Sequence, residues 1–141
     1  MLIPRRALLV SAAFSDRLGA AAVARALARG LREGGAADPD IALLDDDEIN
    51  SQLAQISFDR RMRAARAVVI AVAALDPQTM VRTAAFEIAT RARQGGVPAY
   101  AVAGESTIAS FDARLLDLQL VLQARSARAL LTAGRRLGQV L

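Results

Sequence analysis

The sequence predicts an α/β fold: a doubly wound, Rossmann- or flavodoxin-like three-layer sandwich with about five mostly parallel strands. Three observations predict it. Apolar runs of strand length alternate along the chain with stretches of helical period. The runs are continuous rather than alternating in polarity, as in strands buried on both faces. Gly-Gly pairs, Gly34-Gly35 and Gly95-Gly96, close two of the helical stretches before the next run begins. Strands interleaved with helices imply right-handed crossovers and a parallel sheet. The 141 residues read as one such domain, long enough to bury a real core.

Each element has its own warrant. Residues 7–13 are an apolar run, the first strand. Residues 18–31 carry Val23, Leu27 and Leu31 at spacing four, with Arg25, Arg29 and Arg32 on the opposite face, which predicts a helix. Asp38-Pro39-Asp40 turns the chain into a second strand at 41–44. The polar stretch that follows, to about Ala65, is expected to be helical in its second half. Residues 67–73, Ala-Val-Val-Ile-Ala-Val-Ala, are the strongest strand. A helix is expected over 78–93 and a fourth strand over 97–103. A short helix near 110–115, a fifth strand near 118–122 and a terminal helix from Ser126 complete the series. Leu130, Gly134, Leu137 and Leu141 form one stripe of that last helix.

Composition excludes whole classes of chemistry. The chain has no Cys, no His and no Lys, so all 18 basic residues are Arg. Disulfides, thiolate zinc sites, His bases, Schiff-base lysines and the P-loop lysine are all excluded. Net charge is only +4; the isoelectric point of 11.1 is high because nothing but Arg titrates in the basic range. That balance does not argue for nucleic acid. Mean hydropathy is +0.30, yet the longest uncharged apolar run, 67–75, is too short for a bilayer. The first six residues place their arginines after the apolar ones, the wrong order for a signal peptide. A cytoplasmic protein with neither nucleic-acid nor membrane partners is expected.

In doubly wound sheets, ligands sit beyond the carboxyl ends of the strands. The candidate loops are 11–17, 45–48, 73–79, 104–107 and 123–125. Each signal has two readings. Asp76-Pro77-Gln78-Thr79 suits a small hydroxy acid or anion at a helix N-terminus, or an N-cap with Pro77 at the first helical position. Asp45-Asp46-Asp47-Glu48 suits Mg²⁺, or a solvated helix start complementing the macrodipole. Ser11, Ser15 and Asp16 lie on the first strand–helix loop, where Asp16 either faces ligand or caps its helix. No Gly-x-Gly-x-x-Gly accompanies them, which argues against a dinucleotide. Arg125, Arg128, Arg135 and Arg136 suit an anion or nucleic-acid stripe, or a solvated helix surface, which the lack of aromatic stacking partners among them favours.

Three stretches, in order, resemble the bacterial-type glycerate kinase family. Phe14 to Leu31 is similar to the segment in which the family runs from Asp-Ser-Phe-Lys-Gly-Ser-Leu into a helix of the same length. Ala65 to Ala85 is similar to the family stretch Ala-Asp-Leu-Val-Ile-Thr-Gly-Glu-Gly-Arg-Leu-Asp-x-Gln-Thr, with Leu75, Asp76, Gln78 and Thr79 matching without a gap. Ala89 to Gly104 carries Gly96-Val97-Pro98 and a strand ending in Ala103-Gly104, like the family's Gly-Val-Pro strand. Asp76-x-Gln78-Thr79 is the most specific piece. The resemblance implies a first domain with the inserted second domain missing, between about Asp47 and Ser57.

The departures remove charge. Ser15 and Thr83 stand at the family's lysine positions, and Val72 and Ala74 where it has Glu and Arg. Phosphoryl transfer depends on such positioned charges. The resemblance therefore implies a glycerate-kinase-like domain that has lost ATP-dependent phosphorylation of glycerate and serves as a binding or interaction module. The alternative is a residual hydroxy-acid or phosphate-binding protein, or an active small kinase. The candidate ligand residues are Ser15, Asp16, Asp76, Gln78, Thr79, Arg82 and Gly104, with no catalytic and no metal-ligating residue assigned. No cofactor is expected, ATP and Mg²⁺ entering only if kinase activity survives. A homodimer or a protein partner is expected, since losing a companion domain exposes apolar surface.

Overall fold

Segments apolar on both faces are stable only when covered on both, and the chain satisfies this with one sheet between two helical layers. The computed structural model describes residues 5–76, 83–108, 113–114 and 116–141. The strands are β1 (Leu8–Ser11), β2 (Asp40–Leu43), β3 (Val68–Leu75), β4 (Ala99–Ser106) and β5 (Leu118–Gln123). They lie in the order β2-β1-β3-β4-β5, all parallel. That is the flavodoxin-like order, with its switch point between β1 and β3. Helices α1 (Ala20–Glu33) and α5 (Ala127–Val140) cover one face. The opposite face carries α2 (Ile49–Gln55), α3 (Phe58–Ala64) and α4 (Ala84–Gln94).

Strand alternation divides the core in two. Leu8, Val10, Val68 and Ile70 pack with Phe58, Met62 and Ile88 on the α2–α4 side. Leu9, Val69, Ala71 and Val102 pack with Leu27, Leu31, Leu130 and Leu137 on the α1–α5 side. The Gly-Gly pairs end α1 and α4 as expected, and for the same reason. Gly35 (φ 106°) and Gly96 (φ 71°) take the left-handed conformation. The next amides, Ala36 and Val97, then donate back to the Leu31 and Ala92 carbonyls at 2.9 Å.

Helices α1 and α5 touch backbone to backbone. Gly30 and Gly34 face Gly134 and Gly138, each pair four residues apart. A methyl group at Gly134 would lie 2.6 Å from the Leu27 carbonyl oxygen, and one at Gly138 would lie 2.5 Å from that of Leu31. Arg135 of α5 closes the pair by an ion pair with Glu33 of α1 at 2.6 Å, and Arg29 holds the same carboxylate at 2.8 Å.

Several expectations are corrected. The stretch before Ala65 is helical in its second half, as α3, and in its first half as well, as α2, because Glu48 caps α2 and Ser57 turns the chain at φ 55° between them. Strands β3 and β4 run to Leu75 and Ser106, so Gly104 is a strand residue rather than a loop residue. Ser11 belongs to β1, where it is buried and donates its hydroxyl to the Ala20 carbonyl at 2.9 Å. Asp16 does not cap α1: the N-cap is Gly19, with no side-chain bond. The start of the helix expected over 78–93, and most of the short helix near 110–115, lie outside the described residues.

Candidate functional site

Parallel strands deliver their carboxyl ends to one rim, and at the β1/β3 switch point that rim opens into a cavity of about 310 Å³. Phe14, Ser15 and Leu18 of the β1–α1 connection form one wall. Ala73 and Ala74 of β3 form the second, and Gly104, Glu105 and Arg125 close the third. The β1–α1 wall is a tight turn. Leu18 donates its amide to the Ser15 hydroxyl oxygen at 3.1 Å, and Phe14 returns its own amide to the Leu18 carbonyl at 2.8 Å. The Ser15 hydroxyl proton remains available to a ligand.

Arg125 is the cation of the site. Its Nε donates to the Gly104 carbonyl at 3.2 Å, and Nη2 lies 3.8 Å from the Glu105 carboxylate. Both members of that pair are more than half exposed, so it contributes little to stability. With the Gln123 amide oriented oxygen-inward, Gln123 also accepts from Nη2 at 3.1 Å. The guanidinium is thus aimed over the cavity by groups that leave part of its donor fork free. Gly104 is required by space. A methyl there would sit 2.8 Å from the Ala73 carbonyl oxygen and 3.3 Å from the Phe14 ring.

The structure brings Ser15 and Gly104 together at this cavity. Asp16 is exposed and is not among the cavity's walls, and Asp76 ends the described part of the β3–α4 connection. Gln78, Thr79 and Arg82 lie outside the described residues, so the cap and ligand readings of that motif both fall there. Thr83 is the N-cap of α4, accepting from the Phe86 amide at 3.3 Å. The sequence does not single out Phe14, Leu18 or Glu105 as ligand residues, and it marks Arg125 only within the 123–125 loop and the arginine stripe. The signal for Arg125 is its place directly after a strand end, where the fold presents ligands.

The acidic loop is held by hydrogen bonds of its own. Both Glu48 carboxylate oxygens accept backbone amides, from Asn50 at 2.9 Å and Ser51 at 2.8 Å. Those amides hold its carboxyl below the usual carboxylate range. Asp45 Oδ1 accepts from the Asp47 amide at 3.0 Å. The buried Gln52 side chain accepts from the Asp45 amide and donates to the Asp45 and Asp47 carbonyls. Among the described residues no three His, Cys, Asp or Glu side chains converge as a metal-ligand set. The arginine stripe divides too: Arg135 pairs with Glu33, Arg125 turns to the cavity, and Arg128 and Arg136 edge a groove beside β5.

No protein-family model matches the sequence, and comparison with curated proteins gives no match. The cavity therefore has to be read from its own chemistry. One guanidinium, one carboxylate and one hydroxyl stand in a largely apolar wall, which suits recognition of a small molecule with an anionic group.

Proposed function

We propose that this chain is a glycerate-kinase-like α/β binding module that no longer transfers phosphate, and that its strand-end cavity takes a small carboxylate or phosphate. The observation that carries the reading is the cavity wall. Ala74, at the position where the resembled family has a charged residue, lines it without charge, while Arg125 supplies one anion-binding group. Val72, at the other such position, is turned into the core and is almost fully buried. A cavity that keeps a recognition group but has alanine in place of charge supports binding without turnover.

The test is a thermal-shift titration of the purified chain with millimolar D-glycerate, phosphoglycerate and Mg-ATP, repeated on Arg125→Ala. A ligand at a hundred times its dissociation constant stabilises the native state by about 2.7 kcal/mol, a clear shift for a domain of this size. The expected result is a shift with a carboxylate or phosphate, lost in Arg125→Ala, and no phosphorylated product from glycerate and ATP. Turnover would overturn the non-catalytic reading. The absence of any shift would overturn the ligand reading.

A second reading, an interaction module, is favoured by one observation. Ile41 and Leu43 of edge strand β2 are 39% and 46% exposed on the same face, and an open apolar edge invites a partner. Light scattering at tens of micromolar tests it: a dimer supports a homotypic partner, and a strict monomer counts against one.

A further inference from the structure

At the opposite rim, where the strands begin, Arg5, Arg6, Arg60, Arg61, Arg63 and Arg66 gather, with Asp38, Asp40 and Asp59 beside them. Each of these carboxylates is already paired, Asp38 with Arg32 at 2.7 Å. Asp40 receives two hydrogen bonds from Arg61, at 2.7 and 2.9 Å, and Asp59 lies 3.4 Å from Arg91. Arg5 spends its donors on the carbonyls of Arg63, Ala64 and Ala65 at the end of α3. Arg6, Arg60, Arg63 and Arg66 are exposed and make no ion pair within 4 Å among the described residues, Arg6 adding only a through-space attraction to Asp40.

Two depressions of about 290 Å³ each open on this rim. Arg6 and Arg60 overhang one, whose floor is the Arg61–Asp40 pair with Ala64 and Ala65. Arg5 and Arg66 border the other, beside Ala7 and the 35–37 turn. The planar fork of arginine matches the oxygens of phosphate bidentately. The exposed guanidinium groups of Arg6, Arg60, Arg63 and Arg66 together exceed the charge of one small oxyanion, so several linked phosphates match this rim better than one.

We propose that the amino-terminal rim of the sheet is an anion site for an oligophosphate, independent of the strand-end cavity. No aromatic residue borders either depression among the described residues, so the surface offers charge without a stacking platform for bases. That favours a bare oligophosphate over single-stranded nucleic acid.

The experiment is isothermal titration of the whole chain with tripolyphosphate at low salt and again at about half-molar salt, where the screening length falls to about 4 Å. The same titration is run with orthophosphate and with a short oligodeoxynucleotide. Tripolyphosphate should bind, more weakly at high salt, and more tightly than orthophosphate. Arg6→Ser with Arg60→Ser should weaken it about tenfold, and Arg125→Ala should leave it unchanged. If the first pair of substitutions lowers the melting temperature, Arg63→Ser with Arg66→Ser serves in its place and should weaken binding likewise. No binding at low salt, undiminished binding in a folded double variant, or binding of the oligonucleotide alone would each overturn the proposal.

Discussion

Gly104 shows how one residue ties the core to the site. It sits in β4 under the Phe14 ring, and its missing side chain lets the Ala73 carbonyl approach. Replacing it with Ala forces that carbonyl or Phe14 to shift, an overpacking that costs about 1–3 kcal/mol. Gly104→Ala should lower the denaturation midpoint and abolish any ligand shift that Arg125→Ala abolishes. Arg61 is a second such residue. It bonds Asp40 through two nitrogens and also donates to the Ile41 carbonyl at 2.9 Å and the Ile56 carbonyl at 3.0 Å. It therefore covers part of the free edge of β2, a common protection against edge-to-edge pairing. Arg61→Met should cost about 1–3 kcal/mol through the groups left unpaired, and should increase concentration-dependent association in sedimentation.

Among the elements, the α1–α5 pair is the most demanding in its sequence. Its glycines, three within the helices and Gly34 at the end of α1, make the helices meet at backbone distance, although glycine inside a helix costs about 1 kcal/mol against Ala. Gly134→Ala recovers that propensity but drives a methyl group against the Leu27 carbonyl. The clash wins, and net destabilisation of about 1–2 kcal/mol is expected in urea unfolding. Gly19 is the control. It is the N-cap of α1, makes no side-chain cap, and has no atom within 4 Å of where a methyl group would stand. Gly19→Ser should therefore gain a few tenths of a kcal/mol. Opposite outcomes from these two glycines would show that packing, rather than propensity, sets the requirement at Gly134.

For the molecule as a whole, stability should depend on acid and hardly at all on neutral pH. No His is present to titrate between about pH 5 and 8. Three carboxyls lie below their usual values, 3.8 for Asp and 4.5 for Glu. Asp40 is held down by hydrogen bonds from Arg61, Glu33 by those from Arg135 and then Arg29, and Glu48 by the Asn50 and Ser51 amides. A lowered folded value means the unfolded chain binds protons first. The stabilisation is thus complete above the usual values and is lost as pH falls through the folded ones. Melting temperature should be flat from about pH 8 to 5 and fall below about 4.5. Asp40→Asn should flatten part of that acid limb. A slope centred on neutral pH would contradict this assignment.

The sequence by itself determined the class of fold, the number and order of strands along the chain, the Gly35 and Gly96 helix ends and the exclusion of His, Cys and Lys chemistry. These rest on short-range periodicity and on residue identity, which need no knowledge of what lies opposite. Strand ends and the division between α2 and α3 were less legible. The run of β3 continues through Ala73 and Ala74 only because β4 extends beside it, and α2 starts only where Glu48 finds two amides. The site was legible in part: Ser15 and Gly104 stood out, and Arg125 stood in a strand-end loop and an arginine stripe, but its turn toward Gly104 depends on β5 lying beside β4. The spacing of Gly30 and Gly34, and of Gly134 and Gly138, is visible in the sequence, but the two motifs lie about a hundred residues apart. That they face each other, and that six arginines share one rim while the cavity opens at the other, was decided by the tertiary structure. Contacts between distant segments follow from how the strands are arranged in the sheet, and that arrangement is a property of the packed whole rather than of any local stretch.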